Sequence, residues 1–309
     1  MIDGISLIQR LPKIRGRYTP NTSLSAITWF RVGGPAEVIF KPADLDDLTF
    51  FMKHKPSDVP VKILGVGSNI LVRDGGVPGV VIRLGRHFTN IVVRENTVDV
   101  GASVLDRTLS VLARDRGLGG LSFYCSIPGT LGGALRMNAG CYGRETSDVV
   151  ESALVMDPKG KIHRLTNKEL GFSYRHCAIP DDWIFLGARL TFTHTEPHIL
   201  AQEMEEMLTK REETQPTNSR TGGSTFANPQ GYSAWELIDK AGCRGLKVGD
   251  AQMSEKHCNF MINCGQATAD DLEKLAETVQ NCVRESSDIA LNWEIIRWGV
   301  GVKKNKKAA

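Results

Sequence analysis

Apolar positions in the first two-thirds of the chain fall in short runs set off by glycine-containing turns: AEVIF (36–40), VKIL (61–64), VVIRL (80–84), NIVV (90–93), TVDV (97–100), SALVM (152–156), KIHRL (161–165) and IFLGARLTF (184–192). Runs of this length, rich in β-branched residues, predict strands. Two stretches carry the helical period instead. ADLDDLTFFMKH (43–54) follows Pro42 and has acids in its first turn. SVLDRTLSVLARDRG (103–117) puts Val104, Leu105, Leu109 and Leu112 on one face and stops at Gly117.

After Pro197 the pattern changes. HILAQEMEEMLTKREET (198–214) repeats Ile199, Leu200, Met204, Met207 and Leu208 at helical spacing, so its methionines read as core. A loop rich in Thr, Asn, Ser and Gly (214–224) leads to a short helix, SAWELIDKAG (233–242), a strand, CNFMIN (258–263), and a helix from Thr268. There Asp271 stands at capping-box distance, ahead of a Leu272, Leu275, Val279, Cys282, Val283 stripe. The change in character predicts a boundary near Pro197, giving units 1–197 and 198–302 and a basic tail, 303–309. No repeat of solenoid period is present.

A chain of 309 residues is long for one core, and two or three packed units are expected. At 41% hydrophobic and 24% charged residues it fits neither a disordered nor a membrane-spanning chain, and the N-terminus, MIDGISLIQRLPKIRGRY, lacks an export signal. A cytoplasmic location without membrane insertion is therefore expected. The net charge of +3 becomes −1 once the four tail lysines are set aside, so no nucleic-acid partner is expected. Seven cysteines without a CxxC pair read as free thiols. No ligand spacing predicts a metal, His257 and Cys258 being adjacent with no second close pair.

The chemistry is concentrated in two glycine-rich stretches, LGVGSNILVRDGG (64–76) and PGTLGGALRMNAGCYG (128–143). Glycine permits positive φ and close approach of a ligand to backbone, so successive N–H groups can form a concave anion site for a pyrophosphate. Either stretch alone is better accounted for by tight turns; two in one chain reverse that preference and favour the ligand site. GVGSNILV runs into another strand-like segment rather than a helix, which argues against the dinucleotide fingerprint of the Rossmann type.

Six blocks in order, FRVGGPAE (30–37), GVGSNILV (65–72), IPGTLGGALRMNAG (127–140), FSYR (172–175), GGSTFANP (222–229) and LNWEII (291–296), resemble the UDP-N-acetylenolpyruvoylglucosamine reductase family over nearly the whole chain. The resemblance implies an α+β fold: FAD-binding subdomains of the PCMH/vanillyl-alcohol-oxidase type, with a core at about 34–197, then a smaller α+β substrate-binding domain. It implies non-covalent FAD, NADPH as co-substrate, a UDP-sugar substrate and no obligate protein partner. The chain resembles the compact branch, lacking a substrate-covering loop that carries a tyrosine.

Matching positions imply flavin contacts at Arg31, Gly65, Val66, Gly67, Ser68, Asn69, Ile70, Ile127, Pro128, Gly129, Gly132, Gly133, Asn138, Ala139 and Gly140. Arg175 corresponds to a carboxylate clamp, Glu294 to a neutral acid facing a developing enediolate, and Ser224 to a proton donor. Tyr174, Arg211, Asn228, Lys247, His257 and Asn259 are candidate substrate contacts. An alcohol or hydroxy-acid oxidoreductase on the same flavin fold, or a flavin-binding module without turnover, stands as the alternative.

Overall fold

A computed structural model describes residues 3–302, and the expected basic tail lies outside the described residues. In the first unit, helix α1 (Gly4–Arg10) precedes strands β1 (Arg17–Ser23), β2 (Pro35–Lys41), β3 (Val61–Ile63), β4 (Ile70–Val72) and β5 (Val77–Ile82). Four of these form a sheet in the order β1-β2-β5-β3, parallel except for the β1 edge. Helix α2 (Leu45–His54) starts where the Asp44 carboxylate accepts the Asp47 N–H, and it buries Leu48 and Phe51 against Val38, Phe40, Val80 and Ile82. The expected 34–197 core starts later than this unit, because β1 has few apolar positions and reads as loop.

The second unit is a five-stranded antiparallel sheet in the order β12-β11-β13-β7-β6, from β6 (Ile91–Val93), β7 (Thr97–Gly101), β11 (Val150–Met156), β12 (Ile162–Thr166) and β13 (Ile184–Thr191). Helices α3 (Asp106–Arg116) and α4 (Leu131–Met137) connect β7 to a small hairpin of β9 (Gly140–Cys141) and β10 (Arg144–Glu145), and the one-turn α5 (Asn167–Leu170) follows β12. Two more short strands, β8 (Leu118–Gly119) and β14 (Thr193–His194), pair as a separate two-stranded sheet.

Helix α6 (Pro197–Thr214) packs on α3 and on residues 122–126 of this second unit. Its Met204 carbonyl contacts the Cys125 thiol at 3.9 Å, and its Met207 carbonyl accepts the Tyr142 hydroxyl at 3.0 Å. By packing, therefore, the architecture changes at Gln215, one helix later than the composition shift at Pro197. The sequence shows the helix, but of its expected stripe only Leu200 and Met204 are buried while Ile199 and Leu208 are exposed, and the pattern cannot show which core receives it.

The third unit is a sheet in the order β15-β18-β17-β16, formed by β15 (Thr221–Ser224), β16 (Lys247–Val248), β17 (Ala251–Met253) and β18 (Phe260–Asn263). Helices α7 (Ala234–Lys240) and α8 (Ala269–Ser287) cover it, with Leu237, Met261, Leu272, Leu275 and Val279 in its core. Phe30, Val32 and Leu71 of the first unit enter that same core. The last strand, β19 (Ile296–Trp298), leaves the third unit to lie parallel to β4. Arg73 pairs with Glu273 at 2.9 Å, and Asp74 accepts the N–H groups of Ala269 and Asp270 at 3.0 and 3.1 Å, capping α8 from outside its own unit. Among the described residues, no helix is long and apolar enough to cross a membrane.

Candidate active site

The two glycine stretches meet. A Cβ placed on Gly65 would come within 2.9 Å of the Thr130 hydroxyl, so a side chain there would drive the loops apart. Gly67 holds φ +68° against Thr28, and its carbonyl accepts the Trp29 N–H at 3.1 Å, so only glycine turns the chain here without strain. Among the described residues, the backbone amides of 65–69 make no hydrogen bond to a protein acceptor. Uncommitted amides in a half-buried turn are what a bound pyrophosphate needs.

The second loop is different. The amides of Ile127, Gly129, Leu131 and Gly132 donate to the carbonyls of Tyr124, Ile127, Val104 and Ala102. Its glycines allow close packing: a Cβ on Gly129 would lie 2.6 Å from Asp106 Oδ2. The amides of Thr130 and Gly133 have no protein acceptor among the described residues. Both loops therefore offer donors, more of them in the first, while the second also supplies a wall. Gly133 is exposed, with only Thr130 Oγ1 at 3.7 Å from where its Cβ would stand, which leaves room for a ligand at the start of α4. A cradle with free amides and such a gap fits a flavin dinucleotide.

Arg31, at φ +58°, folds its guanidinium back onto the Ala26 carbonyl at 2.5 Å, in the loop beside Gly67. Val66, Ser68 and Ile70 are half-buried along the first loop, and Pro128 in the second. Asn138 ends α4 in the left-handed region, and Ala139 follows it, buried, into the β9–β10 hairpin. The Asn138 side chain is committed, Nδ2 to Glu145 Oε2 (2.8 Å) and to the Ser173 carbonyl (3.0 Å), and Oδ1 to the Ser147 N–H (2.9 Å). Its contacts therefore run toward the segment that carries Arg175.

Arg175 donates from Nη2 to the Gly140 carbonyl (2.8 Å) and from Nε to Glu294 Oε1 (3.2 Å), with the Tyr174 ring 4.9 Å from its Cζ. Glu294 is placed by the strand register: its N–H donates to the Thr225 carbonyl at 2.9 Å, and its carbonyl accepts the Asn69 side-chain amide at 3.2 Å. Burial pushes the Glu294 carboxyl above the ordinary range, and Arg175 pulls it partly back. Ser224 precedes Thr225 at the end of β15, after a register shift in which Gly223 holds φ +83° with open space beyond it. The Ser224 hydroxyl makes no hydrogen bond to the protein among the described residues. Asn69, Met137, Arg175, Trp293 and Glu294 line one cavity of about 470 Å³.

Thus a single network joins the first glycine loop, Glu294, Arg175 and the strand bearing Ser224. A neighbouring cavity of about 510 Å³ is lined by Tyr174, Asn228, Tyr232, Ser233 and Glu236. The other substrate candidates stand apart. Asn259 is buried and spends its side chain on both backbone groups of Phe226 (3.0 and 2.8 Å). His257 lies between Trp235 and Phe260 and is held below the usual histidine range by burial. Lys247 is exposed on β16, three strand spacings or about 14 Å from β15. Arg211 is half-buried on α6 near Cys125, Cys141 and Tyr142, on the second unit. One acid in the network, Glu145, was not among the sequence candidates; its only signal is its place shortly after the second glycine stretch.

Residues 36–166 match a family model described as an FAD binding domain, which puts the first two units in the class of FAD-binding proteins. Residues 215–298 match the C-terminal domain of UDP-N-acetylenolpyruvoylglucosamine reductase, and that match starts where the packing changes. The chain is 56% identical to the reductase of that name from Rhodospirillum rubrum over 96% of its own length and 94% of the relative's. It is 53% identical to that of Parvibaculum lavamentivorans, over 98% and 97%. The crystal structure of the Thermus caldophilus reductase superposes with a TM-score of 0.81 at 34% identity, covering 93% of this chain and all of that one. The chain belongs to the UDP-N-acetylenolpyruvoylglucosamine reductase family.

Proposed function

We propose that the chain is a cytoplasmic, NADPH-dependent FAD enzyme that reduces UDP-N-acetylglucosamine enolpyruvate to UDP-N-acetylmuramate in peptidoglycan precursor synthesis. Beyond family membership, the observation that carries this reading is the network in which Arg175 and Glu294 share a cavity and Glu294 pairs with the residue after Ser224. FAD held against the amides of residues 65–69 would supply hydride, taken from NADPH, to the terminal carbon of the enolpyruvyl double bond.

The protein's own groups manage the resulting charge and the proton. Negative charge develops on the carbon beside the substrate carboxylate and spreads into it. Arg175, permanently charged and able to offer two parallel N–H donors, meets that carboxylate. Glu294, whose burial raises its carboxyl above the ordinary range and so favours the neutral acid, donates to the same developing charge. Donors aimed at charge that appears only in the transition state are worth about 3 kcal/mol each. Ser224 delivers the proton to the carbanionic carbon, completing addition of hydride and proton across the bond. A hydroxyl is a weak acid, but here the acceptor is strongly basic and β15 fixes the approach. Tyr174 and Asn228 hold the nucleotide sugar in the neighbouring cavity, and the substrate-binding unit begins at Gln215.

Anaerobic spectroscopy tests the proposal. NADPH should bleach the flavin band of the purified protein, and the enolpyruvyl substrate should restore it. In Ser224→Ala, bleaching by NADPH should change less than about twofold while restoration slows by about a hundredfold or more. Flavin that NADPH reduces but the enolpyruvyl ether does not reoxidise would overturn the reading.

A further inference from the structure

Arg175 is flanked by two carboxylates. Besides its 3.2 Å hydrogen bond to Glu294, its Nη1 lies 3.6 Å from Glu145 Oε1. Glu145 stands directly opposite Gly140 in the β9–β10 register, and the Gly140 carbonyl accepts Nη2 of the same guanidinium. One hairpin thus grips Arg175 from both of its strands. The hairpin is itself fixed: buried Asn138 donates to Glu145 Oε2 and to the carbonyl of Ser173, two residues before Arg175, and the Glu145 N–H donates to Asp148 at 2.8 Å. Nothing in the proposed chemistry uses Glu145, yet it holds the outer edge of the residue on which that chemistry turns.

We propose that Glu145 is a positioning residue for the reduction: it takes the outer edge of the Arg175 guanidinium and balances its charge, so that Glu294 is spared that task and can serve as a hydrogen-bond donor. The role rests on the functional reading above. Of the two acids, Glu294 is the more enclosed, its side chain 13% exposed against 33% for Glu145. A negative charge beside Arg175 therefore costs less desolvation on Glu145. The other charged or titratable groups around the cavity are Arg136, His176, Cys177 and Asp181. Arg136 is committed to the Ile179 and Trp183 carbonyls at 2.6 and 2.7 Å. On the hairpin itself, Arg144 pairs with Asp148 at 3.7 Å.

Glu145→Gln preserves size and removes the charge. Without that charge Arg175 leans on Glu294 alone, and Glu294 gives up its proton more readily. In the oxidised holoenzyme, the ¹³C carboxyl resonance of Glu294, assigned by its loss in Glu294→Gln, should titrate about half a pH unit or more lower in Glu145→Gln than in the wild type. The alkaline limb of flavin reoxidation by the enolpyruvyl substrate should move down with it, with a loss of about tenfold at pH 8 and less at pH 6. Reduction by NADPH should change less than about twofold. A uniform loss across pH with an unmoved Glu294 titration would make Glu145 a merely structural residue and overturn the role, as would an unchanged rate. A wild-type enzyme that the substrate fails to reoxidise would defeat the functional reading first, and this role with it.

Discussion

Arg175 occupies φ +54°, a conformation that costs a residue with a side chain about 1 kcal/mol or more. The guanidinium contacts to Gly140, Glu145 and Glu294 hold it there. A second residue, Asp106, is more isolated. It is fully buried at the start of α3, both its carboxylate oxygens lack a hydrogen-bond partner among the described residues, and burial raises its pKa well above the ordinary range. An acid raised in the folded state contributes its full stability below its unfolded value, near 3.8, and loses it as pH rises toward the folded value. Asp106→Asn removes the titration. The variant's melting temperature relative to the wild type should therefore climb as pH rises above about 4, as differential scanning calorimetry would read; a flat difference would mean that Asp106 finds a compensating partner.

At the scale of elements, the strands that alternate or run apolar and the amphipathic helices α2, α3, α6 and α8 were legible, because their periods follow directly from burial of one face. Elements whose order comes from contacts elsewhere were not. Strand β15 reads as a polar loop, yet the residues directly after it are fixed by Asn259, which bonds both backbone groups of Phe226 and accepts the Thr225 N–H on its carbonyl at 2.7 Å. The same holds for α4, concealed by its glycines. The motif blocks led to Arg175, Glu294 and Ser224, but pattern alone could not separate residues such as Asn259, which shapes the strand, from those that face the cavity. Asn259→Ala strands a buried N–H and carbonyl, which should cost about 2 kcal/mol in denaturant unfolding and loosen the peptide that carries Ser224. Unchanged stability would show that the strand holds itself.

The whole molecule is interlocked. Asp74 caps the third-unit helix α8 from the flavin-binding side, beside the Arg73–Glu273 ion pair, and Phe30 and Leu71 cross into the third core. Asp74→Ala removes acceptors from two N–H groups at a helix start that Thr268 also caps. It should cost about 1 kcal/mol, read as a lower urea midpoint, with the loss concentrated in amide exchange along α8 and β19. Exchange that rises evenly through the chain would instead mark the cap as having no local role. The return of β19 to β4 has a consequence for how the chain can be divided. Residues 215–298 end in a strand that pairs with the flavin-binding side, so that stretch expressed alone would carry an orphaned edge and an exposed Trp298. Cutting between the FAD-binding part and the third unit would not yield two working halves, and any motion between them must pivot about a seam sewn at Ile70–Val72.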